Sequence, residues 1–587
     1  MNHSLLSTMP TQLQLPLPVA APRVEYTEVL RPIQMPVPPP GDSERLAEFR
    51  ERHGHEAYTL FPADATTRHQ PMHLMHKYWA RKDWYVVRAC IEHYTRPGDL
   101  VLDPFCGSGV TLSEALATGR RAVGIDLNPM AAFITEMVTT PVPDDVLGRA
   151  FTEVERTVKA KVLDTYRLDG ACSECGDEDS LVAWYTIRGS RPPSAYVLEP
   201  LCLECRAAGR ERTIRSSEVG RLTALEDRFE HIAAEETLWW PAEAALRYAD
   251  GTPYCQKRRI ERFEQHFTKR NLLNCARVLK AIRTVRHRQA RRALLYCFTS
   301  HLACVSAMNG KRVSGSGWMM NRFYVPPDFY DECVWERFRR TYEKLRRANA
   351  QAAALIGDRR AHVRCASATD LHMIESASVD YVFTDPPYGD SIDYYELTDF
   401  WRAWLGLEMD HGDEIVINER QGKDVDAFGG MLARAAAEMH RVLRPGAWCS
   451  VAFQNKDAAV WSAFGRAFAR PGFELMRVVP QPPSAKSFTM TWSDGSPKTH
   501  VIVHLRKAIG ARRRPRQLVL PSTLPDMVRE SVGDLQANGI DRPSLASVYD
   551  EVVSRWLTGT YGCNDGPQPA AASFTLKDVK RALDEPV

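Results

Sequence analysis

The sequence lacks a long hydrophobic run and a strong net charge. No apolar stretch among its 587 residues reaches the roughly 18 residues that a membrane-spanning helix needs. The opening stretch MNHSLLSTMPTQLQLPLP has no basic region followed by an apolar segment, so we expect no secretory signal. The 76 lysines and arginines nearly balance the 73 aspartates and glutamates, and the resulting net charge of +3 gives no information about an acidic partner.

The sequence also lacks the dense, paired cysteines of a disulfide-stabilised protein. Its 14 cysteines are dispersed, and this usage without a signal predicts a reduced, cytoplasmic protein. Hydrophobic residues make up 44% and charged residues 25%, close to globular averages, so the chain can bury a core. At about 100–200 residues per domain, the length predicts about three or four folded units, or one large domain with an insertion.

Alternating strand and helix signals predict a doubly wound α/β sheet. The first unit consists of the strand Leu100-Val101-Leu102, a glycine turn, the helix TLSEALATG and the strand RAVGIDLNP. The pattern resumes near His362 with further strands and ends in a closing antiparallel pair, FELMRVV and THVIVHL. About 220 residues, roughly 140–355, therefore interrupt the sheet between its second and third strands.

A glycine loop, DPFCGSG, follows the first predicted strand and precedes a helix. Gly107 and Gly109 permit a tight turn and close approach of the backbone to a ligand, and the helix N-terminus adds N–H donors. Asp126 ends the next strand, 17 positions after Gly109, near the spacing at which a carboxylate binds two ribose hydroxyls. The pattern favours a nucleoside cofactor over a purely structural turn. A dinucleotide is disfavoured because Leu112 replaces the third glycine.

A second motif, Asp385-Pro386-Pro387-Tyr388, follows a predicted buried strand at its carboxyl end, where open α/β sheets place their chemistry. The prolines stiffen the turn and remove two backbone donors, so its carbonyls remain as acceptors. A carboxylate beside a carbonyl can accept both hydrogens of an exocyclic amine and make its lone pair more nucleophilic. Tyr388 offers a ring face for an unstacked base. The alternative is a rigid turn with a half-buried tyrosine.

Together, DPFCGSG, IDLNP and TDPPYGD resemble the S-adenosylmethionine-dependent DNA amino-methyltransferases. The stretches HKYWARK and TDPPYGDSIDYYELTDFW, with two cysteine pairs between the motifs, are similar to the prokaryotic adenine-specific DNA methylases that carry a zinc-ribbon insert. The likeness covers roughly residues 70–140 and 360–505. The fold class that it implies is a Rossmann-like methyltransferase sheet interrupted by a zinc-ribbon and helical insertion.

The resemblance implies roles for individual residues. Asp126 is expected on the ribose, and either Lys77 or Arg81 suits the methionine carboxylate. Asp370 belongs to a strand end that the family places near the cofactor adenine or the target base, although Cys365-Ala366-Ser367-Ala368 replaces the usual Gly-Asp. The amine-activating turn is Asp385, Pro386, Pro387 and Tyr388. The expected S-adenosylmethionine-binding residues are Lys77, Tyr78, Asp103, Pro104, Phe105, Gly107, Gly109, Asp126 and Asp370.

The implied reaction is in-line methyl transfer to an exocyclic amine of a base flipped out of double-stranded DNA. Carbon-5 methylation of cytosine would need a nucleophilic cysteine after a proline, and none of the 14 has that context. Asp385 before Pro-Pro-Tyr favours adenine N6, while cytosine N4 presents the same amine geometry. The resemblance leaves room for a restriction or phage-defence partner, which the sequence does not identify.

Two other functions remain open at the level of sequence. Some guanine-N2 RNA methyltransferases carry a similar turn, but the first 60 residues show no RNA-binding domain. A DNA-binding scaffold with a degenerate site fits poorly, because Asp126 and the whole turn around Asp385 are intact.

Two cysteine pairs, Cys172-x2-Cys175 and Cys202-x2-Cys205, predict the ligand set of a tetrahedral structural Zn²⁺, and the alternative is that the pairs are coincidental. The 26 residues between them exceed the usual spacing of about 15–20, but short strands such as LVAWYTI and SAYVLEP can fill a ribbon. Four thiolates leave no open coordination position, which disfavours a catalytic zinc.

Positive charge is concentrated in residues 251–350, which contain 22 lysines and arginines and 7 acidic residues. The local net charge of +15 leaves −12 for the other 487 residues. The loop NGKRVSGSGWMMNRFY mixes basic and aromatic side chains, a combination that suits phosphate contacts and insertion into a groove. We expect DNA contact here, with a solvated helix face as the alternative.

These patterns divide the chain into six predicted segments. They are a Pro-rich disordered arm (1–45), the S-adenosylmethionine-binding half of the methyltransferase domain (57–140), a zinc-ribbon insert (141–220), a basic helical insert for DNA target recognition (221–355), the second half of the methyltransferase domain (356–507) and a C-terminal helical tail (508–587).

Overall fold

The computed structural model describes most of the chain after Gln70. The described residues are 70–79, 81–167, 184–188, 216–244, 246–254, 260–312, 315–318, 323, 325–326, 328–455, 457–481, 500–509, 523–537, 543, 545–561 and 576–584. The predicted arm at 1–45 and the four paired cysteines, Cys172, Cys175, Cys202 and Cys205, lie outside these residues.

Strands form two sheets in the described part of the chain. The strands are β1 (Leu100–Asp103), β2 (Arg121–Asp126), β3 (Trp184–Arg188), β4 (Asn309–Arg312), β5 (Gly315–Trp318), β6 (Asp328–Glu332), β7 (His362–Cys365), β8 (Val379–Thr384), β9 (Leu443–Phe453), β10 (Phe473–Gln481) and β11 (His500–Lys507).

Helices surround both sheets. The described α-helices are α1 (Pro71–Leu74), α2 (Trp84–Tyr94), α3 (Val110–Ala117), α4 (Pro129–Thr139), α5 (Asp144–Asp164), α6 (Ser216–Asp227), α7 (Phe229–Glu235), α8 (Lys269–Thr284), α9 (Arg288–Leu302), α10 (Val334–Ile356), α11 (Tyr394–Leu405), α12 (Val425–Val442), α13 (Ala458–Ala469), α14 (Leu524–Ala537), α15 (Leu545–Thr560) and α16 (Leu576–Asp584).

The main sheet has seven strands in the order β10–β11–β9–β8–β1–β2–β7. Strand β11 runs antiparallel to both of its neighbours, and the other neighbouring pairs are parallel. The predicted doubly wound α/β fold is therefore confirmed, as is the closing antiparallel pair. The carboxyl ends of β2, β1 and β8 lie side by side at one edge, because these three strands are adjacent and parallel.

Two apolar cores cover the two faces of this sheet, as the alternation of side chains along a strand requires. Val101 of β1 belongs to one core, whereas Leu100 and Leu102 belong to the other. Strand β8 is buried at every position, which is typical of a central parallel strand. The first core includes α2, α3, α4 and α11, and the second includes α12, α13 and the C-terminal helices α14 to α16.

The insertion between β2 and β7 packs onto the first core. Phe267 of the insertion stacks on Phe400 of α11 with ring centroids 5.5 Å apart, and Phe298 of α9 contacts Trp404 at 5.4 Å. A four-stranded sheet in the order β3–β6–β4–β5 also belongs to the insertion. The strand predicted within LVAWYTI is β3, which pairs with β6, while SAYVLEP lies outside the described residues.

Several basic residues of the insertion form internal ion pairs. Arg270 of α8 is buried against Asp331 of β6. Three further arginines pair with acidic residues outside the 251–350 stretch: Arg277 with Glu236, Arg292 with Glu136 and Arg346 with Asp144. Part of the local positive charge therefore serves internal contacts. In the described part of the chain, no helix is long and apolar enough to cross a membrane.

Candidate active site

Three carboxylates meet where adjacent strands of the main sheet end. Asp103 ends β1, Asp126 ends β2 and Asp385 directly follows β8. An open cavity of about 870 Å³ lies at this edge. Its lining consists of Tyr78, Trp79, Arg81, Lys82, Asp103, Pro104, Phe105, Cys106, Gly107, Ser108, Val110, Thr111, Asp126, Leu127, Asn128, Ser367, Ala368, Phe383, Asp385, Pro387, Tyr394, Met409, Asp413, Glu414 and Ile415.

The glycine loop needs its two glycines for different contacts. Gly107 has φ +50°, and a Cβ atom there would lie 3.0 Å from Tyr78 Cε1. Gly109 has φ +80° and precedes α3, and its Cβ would lie 3.1 Å from the Cα of Thr135. Gly107 faces the cavity, whereas Gly109 is outside its described lining and permits α3 to pack closely against α4.

Asp126 is tied to the glycine loop through the backbone. Gly107 N donates to Asp126 Oδ2 at 2.8 Å, and Asn128 N donates to Oδ1 at 2.9 Å. Burial raises the pKa of Asp126 to about 6, although both N–H donors act in the opposite direction. Each carboxylate oxygen has a second lone pair, so this group can still accept hydroxyl donors.

Asp103 connects the glycine loop to the strand that carries the second motif. Its Oδ1 accepts from Phe105 N at 3.1 Å and from Thr384 Oγ1 at 2.8 Å. Burial is the largest influence on Asp103 and raises its pKa to about 7. Asp103 therefore holds β1 and β8 in register beside the cavity, because Thr384 is the last residue of β8.

The segment before α2 brings aromatic and cationic side chains to the cavity. Tyr78 stacks on Tyr394 with ring centroids 5.6 Å apart. Arg81 Nη2 donates to the His76 carbonyl at 2.7 Å, and Arg81 Nε donates to Ser108 Oγ at 3.3 Å. Of the two cations predicted for the methionine carboxylate, Arg81 lines the cavity. Lys77 is outside the described lining, and its Nζ lies 5.8 Å from the Trp79 ring centroid.

His76 anchors this segment to the insertion. Its Nδ1 donates to the Lys77 carbonyl at 2.8 Å, and its Nε2 lies 3.1 Å from Thr299 Oγ1 of α9. The imidazole also stacks on Tyr296 with centroids 5.3 Å apart. Burial lowers the pKa of His76 to about 4, so the ring is neutral at pH 7. Helix α9 of the insertion thus positions the residues that reach the cavity.

Asp385 carries two donors from different parts of the chain. The Tyr388 hydroxyl donates to Asp385 Oδ1, and Lys82 Nζ lies 3.0 Å from Oδ2. Lys82 also donates to the Tyr388 hydroxyl. Burial raises the pKa of Asp385, while the Lys82 charge and these hydrogen bonds act to lower it.

The other residues of this turn have different surroundings. Pro387 lines the cavity, but Pro386 and Tyr388 are outside its described lining. The Tyr388 ring is 8% exposed and packs edge-on against Phe453 with centroids 5.5 Å apart. The structure therefore directs its hydroxyl towards Asp385, and the base-stacking role stays a prediction.

Asn455, which is outside the described cavity lining, also holds the turn in place. Asn455 Nδ2 donates to the Tyr388 carbonyl at 2.6 Å, and the Asn455 carbonyl accepts from Trp461 Nε1 and from the Tyr549 hydroxyl, both at 3.1 Å. Gly389 has φ +80°, and a Cβ there would lie 3.0 Å from Ile417 Cδ1. Tyr549 lies in α15, so the C-terminal tail contacts the residue that supports the turn.

The strand end after β7 approaches the cavity through Ser367 and Ala368 rather than through Asp370. The Asp370 side chain is 65% exposed and pairs with His372 at 2.9 Å. Its predicted contact with the cofactor would require movement of this segment. The side chain that the structure places at the cavity is the nearby Ser367, whose hydroxyl hydrogen-bonds with Thr369 at 2.8 Å.

Some cavity residues had no assigned role in the sequence analysis. Lys82 is the last residue of the stretch HKYWARK, and Tyr394 lies within TDPPYGDSIDYYELTDFW. Their membership of these two stretches is a signal that could have identified them. Glu414 had no such signal. It lies on the loop after α11, accepts from Tyr395 N at 3.0 Å and from Gln421 Nε2 at 2.8 Å, and burial raises its pKa.

No cluster of His, Cys, Asp and Glu that could hold a metal ion occurs within the described ranges. Cys172, Cys175, Cys202 and Cys205 lie outside those ranges, so the zinc site stays a prediction.

Comparison with known proteins gives partial matches. A family model described as DNA methylase matches residues 33–136, a segment that includes the glycine loop and Asp126 but not Asp385. Type II methyltransferase M.MvaI of Kocuria varians is 31% identical over 83 residues, covering 14% of this chain and 18% of that protein. Type II methyltransferase M.MjaII of Methanocaldococcus jannaschii is 29% identical over 99 residues, covering 16% of this chain and 18% of that protein.

The chain thus covers less than a fifth of the length of these relatives. Among solved structures, the rRNA methyltransferase aviRa from Streptomyces viridochromogenes has a TM-score of 0.24 and 10% identity, over 76% of this chain and 90% of that one. A score this low describes a distant likeness. The segment that carries the glycine loop is therefore similar to a family described as DNA methylase and to parts of two Type II methyltransferases.

Proposed function

We propose that the protein transfers a methyl group from S-adenosylmethionine to the exocyclic N6 amine of adenine in double-stranded DNA. One observation carries this proposal: Asp385 of the Pro-Pro-Tyr turn opens into the same cavity as Gly107 and Asp126 of the glycine-loop half. A nucleoside-binding loop and an amine acceptor therefore share one space. The partial relatives support methyltransferase chemistry on DNA.

The cavity suits S-adenosylmethionine in its donor set. Asp126 would accept the ribose hydroxyls, and Gly107 would allow the backbone to approach the cofactor. Arg81 would pair with the methionine carboxylate, because it is the cation of the predicted pair that reaches the cavity.

The cofactor supplies a methyl group on a sulfonium: the amine lone pair bonds the methyl carbon while the electrons of the C–S bond pass to sulfur. Asp385 and the Pro386 carbonyl would accept the two amine hydrogens and reduce the conjugation of the lone pair with the ring. After transfer, the nitrogen loses one proton to the Asp385 carboxylate and from there to water. No covalent enzyme intermediate is involved, so positioning supplies most of the catalysis.

The target base must leave the duplex to reach this cavity, because its amine is otherwise paired. We assign DNA contact to the basic insertion, whose helix α9 already holds the segment around His76. Cytosine N4 is the alternative target, since it presents an amine of the same geometry. We also assign a structural zinc to Cys172, Cys175, Cys202 and Cys205.

Transfer of a labelled methyl group to duplex DNA, followed by nucleoside analysis, tests the proposal. Label in N6-methyladenine supports it, label in N4-methylcytosine supports the alternative, and label confined to RNA contradicts both. Asp385→Ala should abolish transfer while binding of S-adenosylmethionine, measured by calorimetry, survives. If binding is lost instead, the assignment of this turn to the amine is wrong.

A further inference from the structure

Lys82 occupies a position at the cavity that the sequence motifs do not explain. It lies two residues before α2, and only 6% of its side chain is exposed. Its Nζ lies 3.0 Å from Asp385 Oδ2, donates to the Tyr388 hydroxyl and sits 4.9 Å from the centre of the Tyr388 ring. Because the Tyr388 hydroxyl also donates to Asp385, the three side chains form a closed triangle.

This triangle constrains the carboxylate geometrically. Each Asp385 oxygen accepts one donor on the protein side, Oδ1 from Tyr388 and Oδ2 from Lys82. A carboxylate oxygen has two lone pairs, so each can still accept a second donor from the cavity. Two fixed donors also define the plane of the group, and hence the direction of the lone pairs that face the cavity.

The charge of Lys82 matters because the surroundings of Asp385 are acidic and buried. A buried carboxylate without a cation nearby becomes protonated, and a protonated carboxyl donates a hydrogen bond where the amine needs an acceptor. Other titratable groups that line the cavity are Tyr78, Arg81, Asp103, Cys106, Asp126, Tyr394, Asp413 and Glu414, and Tyr388 contacts Asp385 from outside that lining. Arg81 is the other cation among them, and its guanidinium donates to the His76 carbonyl and to Ser108 Oγ.

We propose that Lys82 is a positioning residue that keeps Asp385 ionised and orients its free lone pairs towards the target amine. This inference rests on the proposed function, since it concerns the group that accepts the amine. It predicts that the charge of Lys82 sets the lower end of the pH range in which the protein transfers methyl groups.

The test is the pH dependence of single-turnover methyl transfer with saturating S-adenosylmethionine and duplex DNA. An opposite charge within about 4–6 Å lowers a carboxyl pKa by roughly 1–3 units. In Lys82→Met the acid limb of the pH profile should therefore move up by about 1–3 pH units. At a fixed pH on that limb, each unit of this shift should lower the rate about tenfold relative to the wild type. Lys82→Arg keeps the charge and should keep the acid limb close to its wild-type position.

A double variant distinguishes an effect of the Lys82 charge on Asp385 from a general structural effect of the substitution. Asp385→Asn removes the titrating carboxylate but keeps a carbonyl oxygen that can accept one amine hydrogen, so unlike Asp385→Ala it should retain a low activity. Adding Lys82→Met to this variant should leave the pH profile of that activity unchanged. A uniform loss of rate in Lys82→Met without a shift of the acid limb, or a shift that persists with Asp385→Asn, overturns the inference. If the wild-type protein methylates no DNA, the proposed function and this inference fall together. If it does and only the shift is missing, the proposed function stands alone.

Discussion

Replacement of Gly107 by alanine is expected to weaken cofactor binding beyond its effect on the fold. Gly107 has φ +50°, and the added Cβ would lie 3.0 Å from Tyr78 Cε1. A left-handed conformation costs a non-glycine residue about 1–2 kcal/mol. Because Tyr78 lines the cavity and stacks on Tyr394, its displacement would alter the cavity itself. Gly107 N also donates to Asp126, so a shift of the loop would move the carboxylate predicted to bind the ribose.

Gly98 provides a matched control. It has φ +94°, and an alanine Cβ there would meet no atom within 4 Å. Both Gly98→Ala and Gly107→Ala should therefore lower the free energy of unfolding by about 1–2 kcal/mol. Only Gly107→Ala should raise the Kd for S-adenosylmethionine, by at least about tenfold, which corresponds to about 1.4 kcal/mol of binding free energy.

Urea denaturation measures the first quantity, and calorimetric titration with S-adenosylmethionine measures the second. Equal Kd values for the wild type and both variants, with equal losses of stability, would refute the placement of the cofactor at the glycine loop. A Kd increase in Gly98→Ala as large as that in Gly107→Ala would show that loss of stability alone explains the effect.

Three further predictions concern other parts of the molecule. Asn455→Ala removes the 2.6 Å donor to the Tyr388 carbonyl, which also accepts from Ser391 Oγ at 3.5 Å, and should lower the free energy of unfolding by about 0.5–1.5 kcal/mol with loss of methyl transfer. Tyr549→Phe should cost about 1 kcal/mol and retain transfer. Metal analysis should find about one zinc per chain, and full zinc in Cys172→Ser would contradict the ribbon. Because the pKa of Asp103 is raised to about 7, its contribution to stability is present at low pH and is lost as the pH rises to about 7. Urea denaturation between about pH 4 and 7 should then show a slope about 1.4 kcal/mol per pH unit less negative in Asp103→Asn, and parallel curves would contradict this.

The main sheet could be predicted because its central strands are buried on both faces. Such strands, β1 above all, appear in the sequence as short apolar runs that end in turn residues. The four-stranded sheet of the insertion could not be predicted in the same way. Strand β3 pairs with β6, and the register Trp184↔Glu332 joins residues far apart in the chain, for which no local pattern exists.

The candidate site was predictable where a residue belongs to a motif next to a strand. Asp103, Asp126 and Asp385 were identified in this way, and the sheet order brings them to one cavity. Lys82 lies at the end of the stretch HKYWARK, but its role was not identified, because its partner Tyr388 is 306 positions away and the stretch does not indicate that contact. Asp370 shows the converse: its position in a motif suggested a role, but its side chain points to solvent.

The sequence by itself determined the order of the main-sheet strands along the chain, the glycine loop, the Pro-Pro-Tyr turn and the concentration of positive charge in residues 251–350. It did not determine β4 and β5, which lie in the stretch predicted as the loop NGKRVSGSGWMMNRFY. Only the tertiary structure decided what that charge does and which side chains surround Asp385. Arg270 is buried against Asp331, and Arg292 pairs with Glu136 of α4, so counts of charge along the chain overstate what the surface offers. The physical reason is that composition and local periodicity record each residue and its neighbours in sequence, whereas ion pairs and acceptor geometry depend on residues that folding brings together.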